Sequence, residues 1–140
     1  MIARPLSALV LLLSVAAPAC GARQDHTATD HTTTLSSLHE AMTTEVSSPE
    51  VLERHNRLTE EVVNGAALEG LFQRDVALAI GRGQDCGGRS VCVEHDFRSS
   101  DWVYDVGHAP GDPGLPAGPT LVVGFDSTGR VDRTFFLTRR

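Results

Sequence analysis

Apolar residues in the middle of this chain recur every three or four positions, and in the last third they recur every second position. The first spacing predicts helices and the second predicts strands. In "SSPEVLERHNRLTEEVVNG" (47–65), Val51, Leu52, His55, Leu58 and Val62 make one apolar stripe. Ser48 stands as its N-cap, Pro49 as the first helical residue, and Glu50 and Glu53 lie against the positive helix end. Asn64 and Gly65 close it. A shorter helix is expected in "GLFQRDVALAIG", where Phe72, Val76, Ala79 and Ile80 share a face and Gly81 can take a left-handed cap. Upstream, Leu35, Leu38, Met42 and Val46 hold a weaker helical spacing among threonines and serines, which are poor helix formers.

Beyond residue 81 the period changes. "DWVYDVG", "TLVVGFD" and "RVDRTFFLT" read as strands, "VCVEHDF" as a weaker fourth, and "FDSTGR" as a hairpin loop with Gly129 where positive φ is wanted. Alternation puts Trp102, Tyr104 and Val106 on one sheet face. Leu121, Val123 and Phe125 would join them, with Val131, Phe135 and Leu137, while Val122 and Phe136 would lie opposite. Helices followed by an antiparallel meander make an α+β domain over 48–140, with N-terminal helices on one face of a three- to four-stranded antiparallel sheet. Trp102 and Tyr104 are the chain's single Trp and Tyr. They fill the core if they face the helices; if they face outward beside Phe136, an exposed apolar patch marks a partner site.

The 140 residues suit one small domain, and 41% hydrophobic content is that of a globular chain. With a formal net charge of -6 and no lysine, the surface is a poor match for a phosphate backbone, so no nucleic-acid partner is expected. Residues 1–19 read as a signal peptide: Arg4 is the positive region, 6–17 the apolar stretch, and "APA" precedes Cys20. The apolar stretch is too short to cross a bilayer. "APA" suits ordinary signal peptidase, whereas "AAPAC" resembles a bacterial lipobox, with Ala17 where leucine is usual. Three cysteines in an exported chain leave one unpaired, and lipidation of Cys20 removes the odd thiol. Cys86 and Cys92 then form a disulfide. Residues 20–47 would be a lipidated, threonine-rich tether, part helical at its end, anchoring the domain to a membrane.

Candidate chemistry is sparse. Five residues between Cys86 and Cys92 match neither a redox CxxC nor a structural zinc pattern, and a metal site with His95 is the lesser reading. "GRGQDCGGR" leaves a helix toward a strand, the reverse of a phosphate cradle, and reads as cap and turn. His26, His31 and His39 lie in or near the tether, where metal would bind loosely. His108 with Asp101 or Asp105 could be drawn as a base with carboxylates, but no nucleophile motif accompanies them. The Gly- and Pro-rich loop 107–119 is either an ordered recognition loop or a long connection. No catalytic residue, metal or cofactor is assigned.

The order of "LEGLFQRDVALAIGRG", "DWVYDVG" and "TLVVGFDSTGRVDRT" resembles the SmpA/OmlA family, the BamE-type outer-membrane lipoproteins, and more broadly the fold of the β-lactamase inhibitory protein. Gly70, Leu71, Val76, Ile80 and Gly81 match the family's second helix, Trp102 and Tyr104 its aromatic strand, and Phe125, Asp126 and Gly129 its hairpin. The match spans 68–138, about half the chain. Phe72 replaces the usual capping Thr, Gly83 stands where Pro is usual, and the Cys86/Cys92 pair is not a general family feature. The resemblance implies a non-enzymatic accessory of the envelope whose partners are envelope proteins, β-barrel assembly components among them. The expectation is therefore an exported, lipid-anchored protein-binding or structural module, most naturally at the outer membrane facing the periplasm. Trp102, Tyr104, His108 and Phe136 are its candidate partner-binding residues. Its rivals are a secreted inhibitor-type binding module and a small hydrolase-like enzyme using His108.

Overall fold

The computed structural model describes residues 26–108 and 117–138. The expected signal peptide, Cys20 and residues 109–116 of the glycine- and proline-rich loop lie outside these. Eight elements follow one another: α1 (His26–Thr43), α2 (Pro49–Asn64), α3 (Gln73–Ile80), β1 (Gln84–Asp85), α4 (Ser90–Glu94), β2 (Trp102–Asp105), β3 (Thr120–Phe125) and β4 (Val131–Leu137). The strands pair antiparallel in the order β1-β2-β3-β4. The architecture is α+β.

The helices form where the apolar spacing places them, with one extension. Ser48 caps α2 by accepting a hydrogen bond from the Val51 N–H at 3.3 Å, and Pro49 opens the helix. Gly65 does not take the left-handed turn at its end; its φ is -80°, and Ala66 at φ 52° takes it instead. α1 begins at His26, inside the segment expected to be a tether. Its threonines disfavour helix, but Leu35, Leu38 and Ala41 are buried in the main core, and that packing outweighs intrinsic propensity. The folded domain therefore begins in α1 rather than at residue 48.

The main core lies between α1, α2, α3 and one sheet face, where Leu38, Val62, Leu68, Val76 and Ile80 meet Trp102, Tyr104, Val106, Leu121 and Val123. The opposite face is also covered. There Cys86, Cys92, Val103 and Val122 form a second cluster, with Val91, Phe97 and Phe135 packed against it. β3 is buried along its whole length because it has a layer on each side.

Two expectations need correction here. "VCVEHDF" is not a strand: Ser90–Glu94 is the short helix α4, and the fourth strand is the two-residue β1. Within the seven residues closed by the disulfide there is no length for a strand and a turn, whereas one helical turn fits. The faces of β4 also differ from plain alternation. A β-bulge between Gly124 and Phe125 pairs Gly124 with Arg133 but Phe125 with Val131, leaving Asp132 as the extra residue. Downstream of it every side chain changes face. Phe135 pairs with Val122 and joins the second cluster, while Phe136 pairs with Leu121 and shares the helix-side face, the reverse of the expected assignment.

Candidate functional site

A cleft of about 410 Å³ opens at one corner of the main core, between the last turns of α1, the exit of α3 and the end of β2. Its walls carry His39, Arg82, Gln84, Tyr104, Asp105 and His108. The floor is built by a close approach. A Cβ on Gly83 would lie 2.8 Å from the Trp102 Cβ and 2.9 Å from the Tyr104 ring, so only glycine lets the chain cross these aromatics. Tyr104 is buried, and its hydroxyl donates to the Gly81 carbonyl at 2.9 Å. Burial pushes its phenol far above the ordinary tyrosine range, so it stays protonated.

His108 is exposed and held through its backbone. Its N–H donates to the Thr44 carbonyl at 3.0 Å and its carbonyl accepts from the Val46 N–H at 3.4 Å, in a parallel bridge beside Glu45. Asp105 is half exposed, accepts from the Thr120 hydroxyl at 3.4 Å and lies 3.9 Å from the Arg89 guanidinium. His39, which the sequence placed with the tether, reaches the same cleft from α1. It is exposed, four residues after the buried Leu35 on α1, and that spacing was the signal for it.

Asp101 is not part of this arrangement. It sits at the other end of β2, fully buried, with its carboxylate accepting from the backbone N–H of Arg98 at 2.8 Å and of Phe125 at 3.1 Å. The guanidinium groups of Arg98 and Arg133 lie 3.8 Å from it. It holds the bulge and the approach to β2 together, so the drawn pairing of His108 with Asp101 has no geometric basis. The pairing with Asp105 retains a shared cleft. Trp102 is a core residue, edge-on to Phe125 at 5.1 Å. Phe136 is half buried two strands from Tyr104, in the row Tyr104, Leu121, Phe136.

One titratable group was hidden in the apolar stripe of α2. His55 is buried, hydrogen-bonds the Val106 backbone and has its Nδ1 unpartnered. A Cβ on Gly107 would come within 2.8 Å of that nitrogen, so the ring is walled in. Burial first, and the nearby Arg54 charge second, hold its pKa below the ordinary histidine range, against the opposing bond to Val106. It is a neutral core residue at neutral pH.

Cys86 and Cys92 are joined as a disulfide, with Cα atoms 5.9 Å apart. Among the described residues no group of three or more His, Cys, Asp or Glu is placed to hold a metal ion, and no helix is long and apolar enough to cross a membrane. Chemically the cleft offers hydrogen-bond donors and acceptors of both charges around an aromatic floor. Thr43 also lines it, its hydroxyl donating to the Glu40 carbonyl at 2.9 Å, and Tyr104 is held protonated. Comparison with known protein families, with characterised proteins and with solved structures finds no match to this chain.

Proposed function

We propose that the chain is an exported bacterial lipoprotein, anchored through Cys20, whose α+β domain is a non-enzymatic protein-binding module of the cell envelope, of BamE-like type. The observation that carries the reading is the Cys86–Cys92 disulfide, with both half-cystines fully buried under the second sheet face. A disulfide that forms part of a core layer belongs to a protein that folds in an oxidising compartment, in keeping with an export signal at residues 1–19.

The distribution of polar groups favours binding over catalysis. Asp101 is committed to backbone hydrogen bonds, Tyr104 to the Gly81 carbonyl and His55 to the core. His108 remains at the rim of a cleft, exposed, with its backbone hydrogen-bonded to Thr44 and Val46, which suits a contact residue. The partners are envelope proteins, and the lipid supplies membrane attachment without a spanning helix.

Metabolic labelling with radioactive palmitate tests the anchor: wild type incorporates label and Cys20→Ala does not, whereas an unlabelled wild type removes the lipoprotein reading and leaves the secreted inhibitor-type module. A photo-crosslinking residue at position 108 in intact cells tests the partner role. Discrete adducts with envelope proteins are the expected result, and their absence there and at every other surface position counts against a binding module. Turnover of any substrate abolished by His108→Ala would favour the enzyme instead.

A further inference from the structure

Two stretches of chain far apart in sequence meet over the imidazole of His55: Val46, in the link between α1 and α2, and Val106 with Gly107, leaving β2. The ring is 3% exposed, hydrogen-bonds the Val106 backbone and leaves Nδ1 without a partner. A Cβ on Gly107 would lie 2.8 Å from that nitrogen and 2.9 Å from the Val46 Cγ2, so bare glycine backbone and an apolar side chain close this side of the ring. A neutral imidazole tolerates such a wall, because one of its nitrogens carries no proton. An imidazolium does not. It has an N–H on both nitrogens, and among the described residues Nδ1 has no acceptor. A buried charge with an unpaired donor favours any rearrangement that admits water.

The wall is lightly fastened. The Val106 N–H donates to the Pro119 carbonyl at 2.8 Å, but beyond it the strap is tied to the α1–α2 link by two backbone hydrogen bonds, from the His108 N–H to the Thr44 carbonyl at 3.0 Å and from the Val46 N–H to the His108 carbonyl at 3.4 Å. Gly107 stands between the firm and the weak fastening at φ 99°, a region open to glycine, and is the natural hinge. Gly107, His108, Met42 and Thr43 all line the cleft, so release of this bridge alters its rim. The charged and titratable groups on the segments against the ring are Arg54 on α2, Glu45 beside Val46, and Asp105 and His108 flanking Val106 and Gly107; all four are exposed. Burial, and then the Arg54 charge, oppose protonation of the closed ring.

We propose that His55 is a proton-operated latch for the His108 rim of the cleft: the neutral ring lets Gly107 close on it, and the protonated ring displaces Gly107 and releases the bridge to Thr44 and Val46. The inference rests on the reading of the domain as a protein-binding module and names how its contact rim is controlled, holding a partner at neutral pH and letting go in acid. The sign follows from linkage. The ring takes its proton more readily in the open form than in the closed one, so acid favours opening. An open ring titrates near pH 6.5, so the open population grows at most about tenfold by about pH 5.5.

The test is hydrogen exchange on the purified full chain with its disulfide intact, read at single amides by NMR and corrected for intrinsic rates. Protection of the Val46 and His108 amides should fall severalfold, and no more than about tenfold, from about pH 7.5 to 5.5. About 1 M urea should leave that fall unchanged, because a local opening exposes little surface, whereas it should lower the protection of Val123 in the central strand. His55→Gln should abolish the fall, and His95→Gln, beside Phe135 on the other sheet face, should not. An unchanged fall in His55→Gln overturns the proposal, as does no fall in wild type, a fall removed by His108→Gln alone, or one that urea deepens as it does at Val123. Should His55→Gln not fold, wild type decides: the fall should level off once the His55 ring resonance has titrated, and a fall that continues beyond it overturns the latch. In cells, a photo-crosslinker at position 108 should capture an envelope protein at about pH 7 and severalfold less at about pH 5.5. Equal capture at both overturns the latch and leaves the partner-binding role standing; the expected exchange with no capture at either pH removes the partner role and keeps the latch.

Discussion

At the scale of single residues, two buried polar groups carry the sharpest consequences. Asp101 lies between the Arg98 and Arg133 guanidinium groups and accepts two backbone N–H groups at the point where the bulge breaks the sheet ladder. Asp101→Ala strands the Phe125 N–H in the interior, and we expect it to cost about 2 to 4 kcal/mol in urea-induced unfolding. Asp101→Asn keeps one accepting oxygen and should cost less, so an equal loss in both variants would show that charge, not hydrogen bonding, is what matters there. His55 acts through pH. Its folded pKa lies below the unfolded value of about 6.5, so the unfolded chain takes up the proton first and stability falls as pH drops through that range. The contribution is fully present above about 6.5 and declines below it until the folded ring also titrates. Wild type should therefore lose melting temperature between about pH 7 and 5.5, and His55→Gln should flatten that part of the profile. A variant that keeps the full slope would assign the effect to other groups. The sequence showed His55 only as a member of an apolar stripe, because spacing reports which face a residue occupies and not whether its second nitrogen finds a partner.

At the scale of elements, the helices and three long strands were legible because each has one dominant period. The errors fell where a long-range constraint overrides the local one. α4 has the composition of a strand, but residues 86 to 92 are closed by a covalent bond, and the segment follows the geometry of that closure. The bulge at Gly124 is invisible in the alternation of "RVDRTFFLT", so Phe135 and Phe136 exchanged faces. The exchange has a physical use. It delivers Phe135 to the second cluster, where it stacks on His95 at 3.8 Å and covers the disulfide layer. That layer is thin, and the disulfide holds it. Replacing Cys86 and Cys92 together by Ser should cost about 2 kcal/mol from loop closure alone. The loss should be local. Amide exchange should rise in 86–97 while α1 and α2 stay protected, and uniform loss of protection would mean that the two layers unfold as one unit.

At the scale of the whole molecule, the candidate site is legible only in part, because a cleft is made by elements far apart in sequence. Tyr104 and His108 were named from their own stretch, but His39 and Arg82 reach the cleft from α1 and from the exit of α3. The same reasoning governs where the domain begins. A threonine-rich segment reads as solvated linker when taken alone, yet α1 inserts Leu35, Leu38 and Ala41 between α2 and α3, and Val46 beyond it is fully buried. Burial of each large aliphatic side chain contributes about 1.5 to 3 kcal/mol, so two leucines and a valine supply roughly 5 kcal/mol or more. Removing them also exposes the apolar faces of Val62, Val76 and Ile80 that they cover. That sum is comparable to the whole stability of an ordinary domain, roughly 5 to 15 kcal/mol. A chain starting at residue 48 should therefore fail to unfold cooperatively and should bind a hydrophobic dye, whereas one starting at residue 26 should melt in a single transition. If both melt alike, α1 is an appendage and the cleft it helps to wall is not a rigid site. If only the longer chain folds, the wall that bears His39 is part of the fold itself.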